Sequence, residues 1–442
     1  MSLPSPPAAP PPTSAPGDAP VTPPPTGPRV VVTRAATAAA VLFALWWLGP
    51  QLGMIWKPVV PLTLFVGVVG IWCLPAHALW VAGLCGAAVL FEWGALRTFG
   101  YHILLIALTY AVRRKPWFLV SALLFGVIVL PKELFRLFYH QPFRHDWVNP
   151  FLLPHLFLVV LLWWSNERRG RITDTGFSGW LCLLLFPSHP FNPLPFSPTD
   201  LWRGRSAATR DVLRGLGVLA CKAAAMWLCM RLFPQGQLSQ QSEEALLGAS
   251  VPRLWFHVAL SYLICALLLS GTADVAVVVA RLFGWNLGHS FRWALLAWNP
   301  VELWRRWAIY NRRLLLTLVY FPLGGGNRHR SLNVMLTFAA SGLVLHSGWL
   351  GSRYWEVGPA GWRDQTLYFL LQGAAVVACL QYWRWRGKDP AADRALRWSW
   401  GRALTTVLTQ ALSAWVHVIV LAPQVSLGVR LRLMLRCFGI EL

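Results

Sequence analysis

The chain has 442 residues, with 39 Lys and Arg against 17 Asp and Glu, a formal charge of +22. Only 13% of its residues are charged and 56% are hydrophobic, whereas a soluble domain averages about 25% charged. Too little polar surface exists to cover a water-soluble globule, which excludes an ordinary cytosolic enzyme, a disordered scaffold and a secreted disulfide framework. An all-α, polytopic integral membrane protein is what remains.

Residues 1–28 are Pro, Ala, Ser and Thr with two Pro-Pro-Pro runs. Such a segment cannot bury a core and is expected to be a disordered tail. From 29 to 442 the chain reads as one multi-span membrane domain. Apolar segments fall near 34–49, 59–74, 77–94, 99–112, 116–138, 151–165, 211–233, 253–283, 331–350, 366–384 and 402–422. These runs are unbroken, not alternating as in a barrel, and only a helix satisfies its own backbone in lipid while turning apolar side chains outward all round. About eleven transmembrane helices are therefore expected. Several segments are shorter than the roughly 20 residues of a full span, so tilted, re-entrant or interfacial pieces are expected too. The Pro-rich stretch from Phe186 to Pro198 cannot be a regular helix, and must pack within protein, line a cavity or sit at the interface.

Arginines cluster between the apolar runs, at Arg113-Arg114-Lys115, Arg168 to Arg171, Arg305-Arg306, Arg312-Arg313 and Arg384 to Lys388. This is the positive-inside pattern, with anionic lipid as the partner and no nucleic acid. It places the N-terminus and the block 292–330 on the cytoplasmic side. Loop 234–250, with Glu243, Glu244 and neither Lys nor Arg, goes to the other side. Arg430, Arg432 and Arg436 fit this scheme poorly. The eight cysteines form no Cys-x-x-Cys pair and read as buried free thiols, and no metal site is expected.

Residues 271–349 carry the chemistry-bearing motifs. Glu302 and Arg306 are four apart on a helix and Trp304 and Trp307 three apart, so the segment reads as an amphipathic helix lying in the headgroup layer, or as the frame of an anionic cofactor site. Gly324-Gly325-Gly326-Asn327 beside Arg328 reads as a tight turn or a phosphate cradle. Asp274 reads as a buried partner of Arg281, a backbone cap or a site residue. His346 sits in an otherwise uncharged run. It is either a hydrogen-bonded core histidine or a proton acceptor, since ionisable residues within the membrane are costly and histidine titrates near neutrality.

In order and spacing this block resembles the membrane-bound O-acyltransferases, in particular the bacterial branch of alginate O-acetylation and teichoic-acid D-alanyl transfer proteins. The matching residues are Asp274, Phe283-Gly284, Asn299-Pro300-Val301-Glu302-Leu303-Trp304-Arg305-Arg306-Trp307, Tyr320-Phe321-Pro322-Leu323-Gly324-Gly325 and Ser341-Gly342-Leu343 followed by His346. The resemblance spans roughly the second half of the chain. It implies helices around a central tunnel in the bacterial inner membrane, and acyl transfer to a hydroxyl of an envelope polysaccharide, lipid or other alcohol. It implies no bound cofactor. The donor would be a thioester, acyl-CoA or an acyl-carrier protein, and a carrier or envelope-modification protein would be a partner. His346 would be the general base, with Asp274, Glu302, Trp304, Arg305, Arg306, Trp307, Asn311, Tyr320, Gly324 and Gly325 supporting the tunnel. Two departures stand out. Ala308 takes the place of the family's His or Asn, with Asn311 one turn on, and one extra residue separates Ser-Gly-Leu from His346. A non-catalytic scaffold or acyl-carrier docking protein of the same fold is the alternative. A transporter ranks last, because no internal repeat is visible.

Overall fold

The computed structural model describes residues 27–48, 57–93, 96–112, 176–187, 207–346, 359–387, 399–422 and 425–440. The expected tail at 1–26, the expected segments 116–138 and 151–165, and most of the Pro-rich stretch lie outside the described residues. Among the described residues there is no strand.

Helix α1 is Pro28–Leu48, α2 Val59–Cys73, α3 Ala78–Trp93, α4 Leu96–Val112, α5 Gly176–Leu184, α6 Thr209–Leu232, α7 Glu243–Leu247 and α8 Val251–Leu282. The motif helices α9 (Pro300–Arg306) and α10 (Ile309–Leu315) follow. Then come α11 (Arg330–Ala340), α12 (Pro359–Trp385), α13 (Trp400–Leu421) and α14 (Leu427–Arg436). Five of these are long and apolar enough to cross a membrane: α1, α6, α8, the part of α12 from Arg363, and α13. A sixth crossing is available if α2 and the following Pro75–Val89, bent from it by 117°, count as one broken span. The described helices thus account for five or six of the expected spans.

The helices start where the sequence can terminate a backbone cheaply. Asp211 in the first turn of α6 accepts the N–H of Ala208 at 2.9 Å, and the Ser399 and Ser426 hydroxyls cap α13 and α14, each satisfying an orphan donor. Packing then fixes the order. Helix α3 crosses α5 at Gly86, where an added Cβ would lie 1.5 Å from the Leu185 carbonyl oxygen. Helices α1, α2, α3, α5, α6 and the last third of α8 share one core around Trp180, Phe186, Phe283 and Trp285. A second core joins α8, α9, α12, α13 and α14.

Hydrogen bonds define the two ends of the bundle. Arg34 in α1 donates to the Ala207 carbonyl at 2.5 Å, and Ala207 in turn donates to Gly284, just past α8. The start of α1 therefore shares an end with the C-terminus of α8, from which the chain runs on into the arginine-rich block. Loop 234–250 lies at the opposite end with α14, where Arg436 donates to Ala249 and Trp255 to Cys437. Arg430 is not a free positive charge there. It is buried, pairs with Asp364 at 2.6 Å and also donates to the Ile419 carbonyl. A charge spent inside the protein carries no topological signal, which is why counting it misleads.

Candidate functional site in the motif block

The motif block folds into the bundle instead of lying on it. Asn299 caps α9 by accepting from the Glu302 N–H at 2.8 Å. Glu302 then holds Arg306 at 2.7 Å and Arg305 at 3.0 Å, the i,i+4 and i,i+3 geometry of one helix face. Arg306 also stacks over Trp298 at 5.0 Å. The sequence put Trp304 and Trp307 flat in the headgroup layer. Instead, Trp307 is only 9% exposed, stacked on Tyr262 and edge-on to Phe291. Trp304 packs on Phe338 and Phe369. Tyr262 lies twenty residues before the end of α8, roughly 30 Å of helix, so the tryptophans reach deep into the span.

A sharp reversal makes this depth reachable. Ala308, between α9 and α10, has φ +41° and ψ +57°. The left-handed region costs an ordinary residue about 1–2 kcal/mol, and Asn and His are several-fold enriched there. An Asn or His would take this conformation more readily than Ala308 does. Beyond the reversal, Ile309 donates to Ser290 at 2.8 Å and Arg292 to Arg306 at 2.9 Å. These bonds clamp the α8–α9 loop against the motif pair. On α10, Asn311 is half-buried. Burial holds the Arg312 guanidinium below its ordinary value, Arg305 and Arg313 press it the same way, and Glu302 opposes.

The glycine segment is a structural turn. Gly324 and Gly325 have φ +97° and +59°, which only glycine adopts freely. The N–H groups of Gly324, Gly325 and Asn327 donate to Phe321, Tyr320 and Gly324, so they are not available to cradle a phosphate. Buried Asn333 ties the turn from inside, donating to the carbonyls of Leu323 at 3.0 Å, Gly325 at 2.9 Å and Arg328 at 2.7 Å. Tyr320 closes a π-helical turn, Leu316–Tyr320, just before it.

Ser341–His346 is π-helical as well. A π turn advances roughly 80° per residue where an α-helix advances about 100°, so five π steps cover about the angle of four α steps. The side chain of His346 lies outside the described part of the structure.

Asp274 is fully buried and is not the partner of Arg281. Its carboxylate accepts from Lys222 Nζ at 2.5 Å and from His289 Nδ1 at 2.8 Å. Arg281 instead donates to the carbonyls of Leu287 at 3.0 Å and Asp211 at 2.9 Å. The reason is geometric. Arg281, in the last turn of α8, reaches the loop at Leu287 and the first turn of α6 at Asp211, while Asp274, two turns deeper on the same face, meets Lys222 further along α6.

Next to the motif tryptophans lies a polar network that the sequence reading missed. His417 is buried; its Nδ1 meets the Ser413 carbonyl at 2.7 Å and its Nε2 meets the Tyr368 hydroxyl at 2.8 Å. A carbonyl only accepts, so the proton sits on Nδ1 and Nε2 accepts from Tyr368. Tyr262 donates to Gln410 at 2.9 Å. Gln372 accepts from Trp304 at 3.3 Å and donates to Ser413 at 3.4 Å. A Lys inside α6 and a His inside α13 were the signals available, since each breaks an apolar run.

Comparison with family models finds no match, and comparison with curated proteins finds no similar chain.

Proposed function

We propose that this protein is a membrane-embedded O-acyltransferase. It moves an acyl group from a thioester, acyl-CoA or an acyl-carrier protein, to a hydroxyl of an envelope polysaccharide, lipid or other alcohol. A histidine is the general base, and His346 is the residue the resemblance assigns. The reading places the protein in a bacterial inner membrane as a bundle of about eleven spans around a tunnel, with its N-terminus in the cytoplasm.

One observation carries this reading. The Asn299–Trp307 helix sends Trp304 and Trp307 inward against a buried polar network of Tyr262, Tyr368, Gln372 and His417. Polar groups at membrane depth are expensive and mark functional sites by default. Arg305 and Arg306 of the same helix pair with Glu302, and Arg306 and Arg402 both lie 5.0 Å from the Trp298 ring, a positive cluster suited to a charged donor. Weak nucleophiles such as alcohols need an adjacent base to form an ester.

Purified protein given labelled acetyl and long-chain thioesters with envelope extract tests the reading, with wild type compared against His346→Ala. Label reaching a product only with wild type supports it. Transfer that survives His346→Ala unchanged removes His346 from the mechanism. A folded wild type that moves no label from any donor and does bind an acyl-carrier protein favours the docking scaffold.

A further inference from the structure

The Asp274–His289 pair has a feature that the polar network around His417 lacks. Both ring nitrogens of His417 are occupied by protein groups. In His289, Nδ1 is held by Asp274 at 2.8 Å, the side chain is 24% exposed, and Nε2 has no hydrogen-bond partner among the described residues. The carboxylate accepts, so Nδ1 carries the proton and Nε2 presents its lone pair outward. Lys222 shares the same carboxylate, at 2.5 Å. The loop bearing the ring is rigid. Leu287 accepts from Arg281, Gly288 accepts from Tyr310 at 3.0 Å, and Ser290 accepts from Ile309. A carboxylate fixing the tautomer and orientation of a histidine whose other nitrogen stays open is the arrangement of a general base.

We propose that His289, oriented by Asp274, is a general base acting on the hydroxyl of an alcohol bound against the α8–α9 loop. The inference rests on the acyl-transfer reading and offers a base other than His346. Nε2 takes the proton of the attacking hydroxyl as its oxygen bonds to the acyl carbon. The acyl–sulfur bond breaks, its electron pair leaves on sulfur, and the imidazolium returns the proton to sulfur to give a free thiol. The charged and titratable groups around the ring are Asp274 and Arg281 on α8, Lys222 on α6, Tyr310 on α10 and Arg292 on the loop. Among the described residues none of them is hydrogen-bonded to Nε2.

The test uses the full chain in lipid nanodiscs and two readouts. His289→Asn keeps a side-chain donor near the position of Nδ1, and so keeps the tie to Asp274, but has no basic nitrogen. Transfer is expected to fall on the order of a hundredfold or more, the gain typical of general base catalysis, and to lose the acid limb of its pH–rate profile. The thermal midpoint should stay close to wild type. Transfer within twofold of wild type with an unchanged profile overturns the proposal, and a matching loss in His346→Ala alone hands the role to His346. If wild type transfers no label, the acyl-transfer reading fails, and carbethoxylation of the folded protein by diethyl pyrocarbonate tests separately whether Nε2 of His289 is open and nucleophilic. His289 is expected to react at least as fast as the exposed His77 and His329, and to slow in Asp274→Asn. A His289 that stays unmodified while those two react overturns the proposal.

Discussion

Asn333 offers a sharp check on the packing behind the motif block. Its amide has two N–H groups and three carbonyl acceptors at 2.7–3.0 Å, all in or beside the glycine turn. Asn333→Leu keeps the branched shape of the side chain and deletes both donors. Two hydrogen bonds at about 1 kcal/mol each are lost, and the inward carbonyls are left without their donor, so opening of the turn becomes easier by about 2 kcal/mol. With tenfold for every 1.4 kcal/mol, exchange of the Gly324 and Gly325 amides should quicken about thirtyfold. Hydrogen exchange read by mass spectrometry in nanodiscs measures this, with peptides from α13 as the internal reference. Exchange unchanged within threefold would refute the tie. A rise equal in α13 would refute its local character.

Three further outcomes follow from named contacts. Gly86→Ala forces a Cβ to within 1.5 Å of a carbonyl oxygen of Leu185, so α3 and α5 must separate. The variant should yield little folded protein, while Gly217→Ala, with nothing within 4 Å, should behave as wild type; equal yields would contradict the crossing. Asp364→Asn leaves Arg430 buried beside a neutral amide. It should lower the thermal midpoint by several degrees and expose α14 to protease, and an unchanged midpoint would show that the pair is not needed. Burial pushes the Cys437 thiol up to about 11 from 9.0. The folded value lies above the unfolded one, so its contribution to stability is present below pH 9 and fades as pH rises from about 9 to about 11. Alkylation of Cys437 should therefore be slow at pH 8 and climb toward pH 11, and a rate at pH 8 equal to that of exposed Cys73 would contradict the burial.

The helical membrane class was legible because lipid imposes one rule over long stretches of chain. The run expected at 59–74 is α2 at Val59–Cys73, and the run at 253–283 is α8 at Val251–Leu282. The helix starts were read two to seven residues late at α6, α8 and α12, because first turns such as Thr209-Arg210-Asp211 are polar and drop out of a hydropathy reading. The Glu302–Arg306 pair was legible for the same local reason. Depth was not. Nothing in Trp304-Arg305-Arg306-Trp307 says whether two tryptophans meet headgroups or Tyr262, because that depends on a left-handed Ala308 and on a loop clamped from α8. Lys222 and Asp274 are 52 positions apart, and Tyr368 and His417 are 49 apart. Such pairs become visible only when packing brings their helices together.

The central claim is that the arginine-rich end receives a thioester and that the acyl group leaves on an alcohol. The direct measurement is transfer by the protein reconstituted in sealed vesicles of both orientations, with labelled thioester outside and envelope acceptor on both faces. Labelled ester is expected only in the population whose arginine-rich end faces the thioester. Equal product from both orientations, or none from either while the protein is folded, would contradict the account.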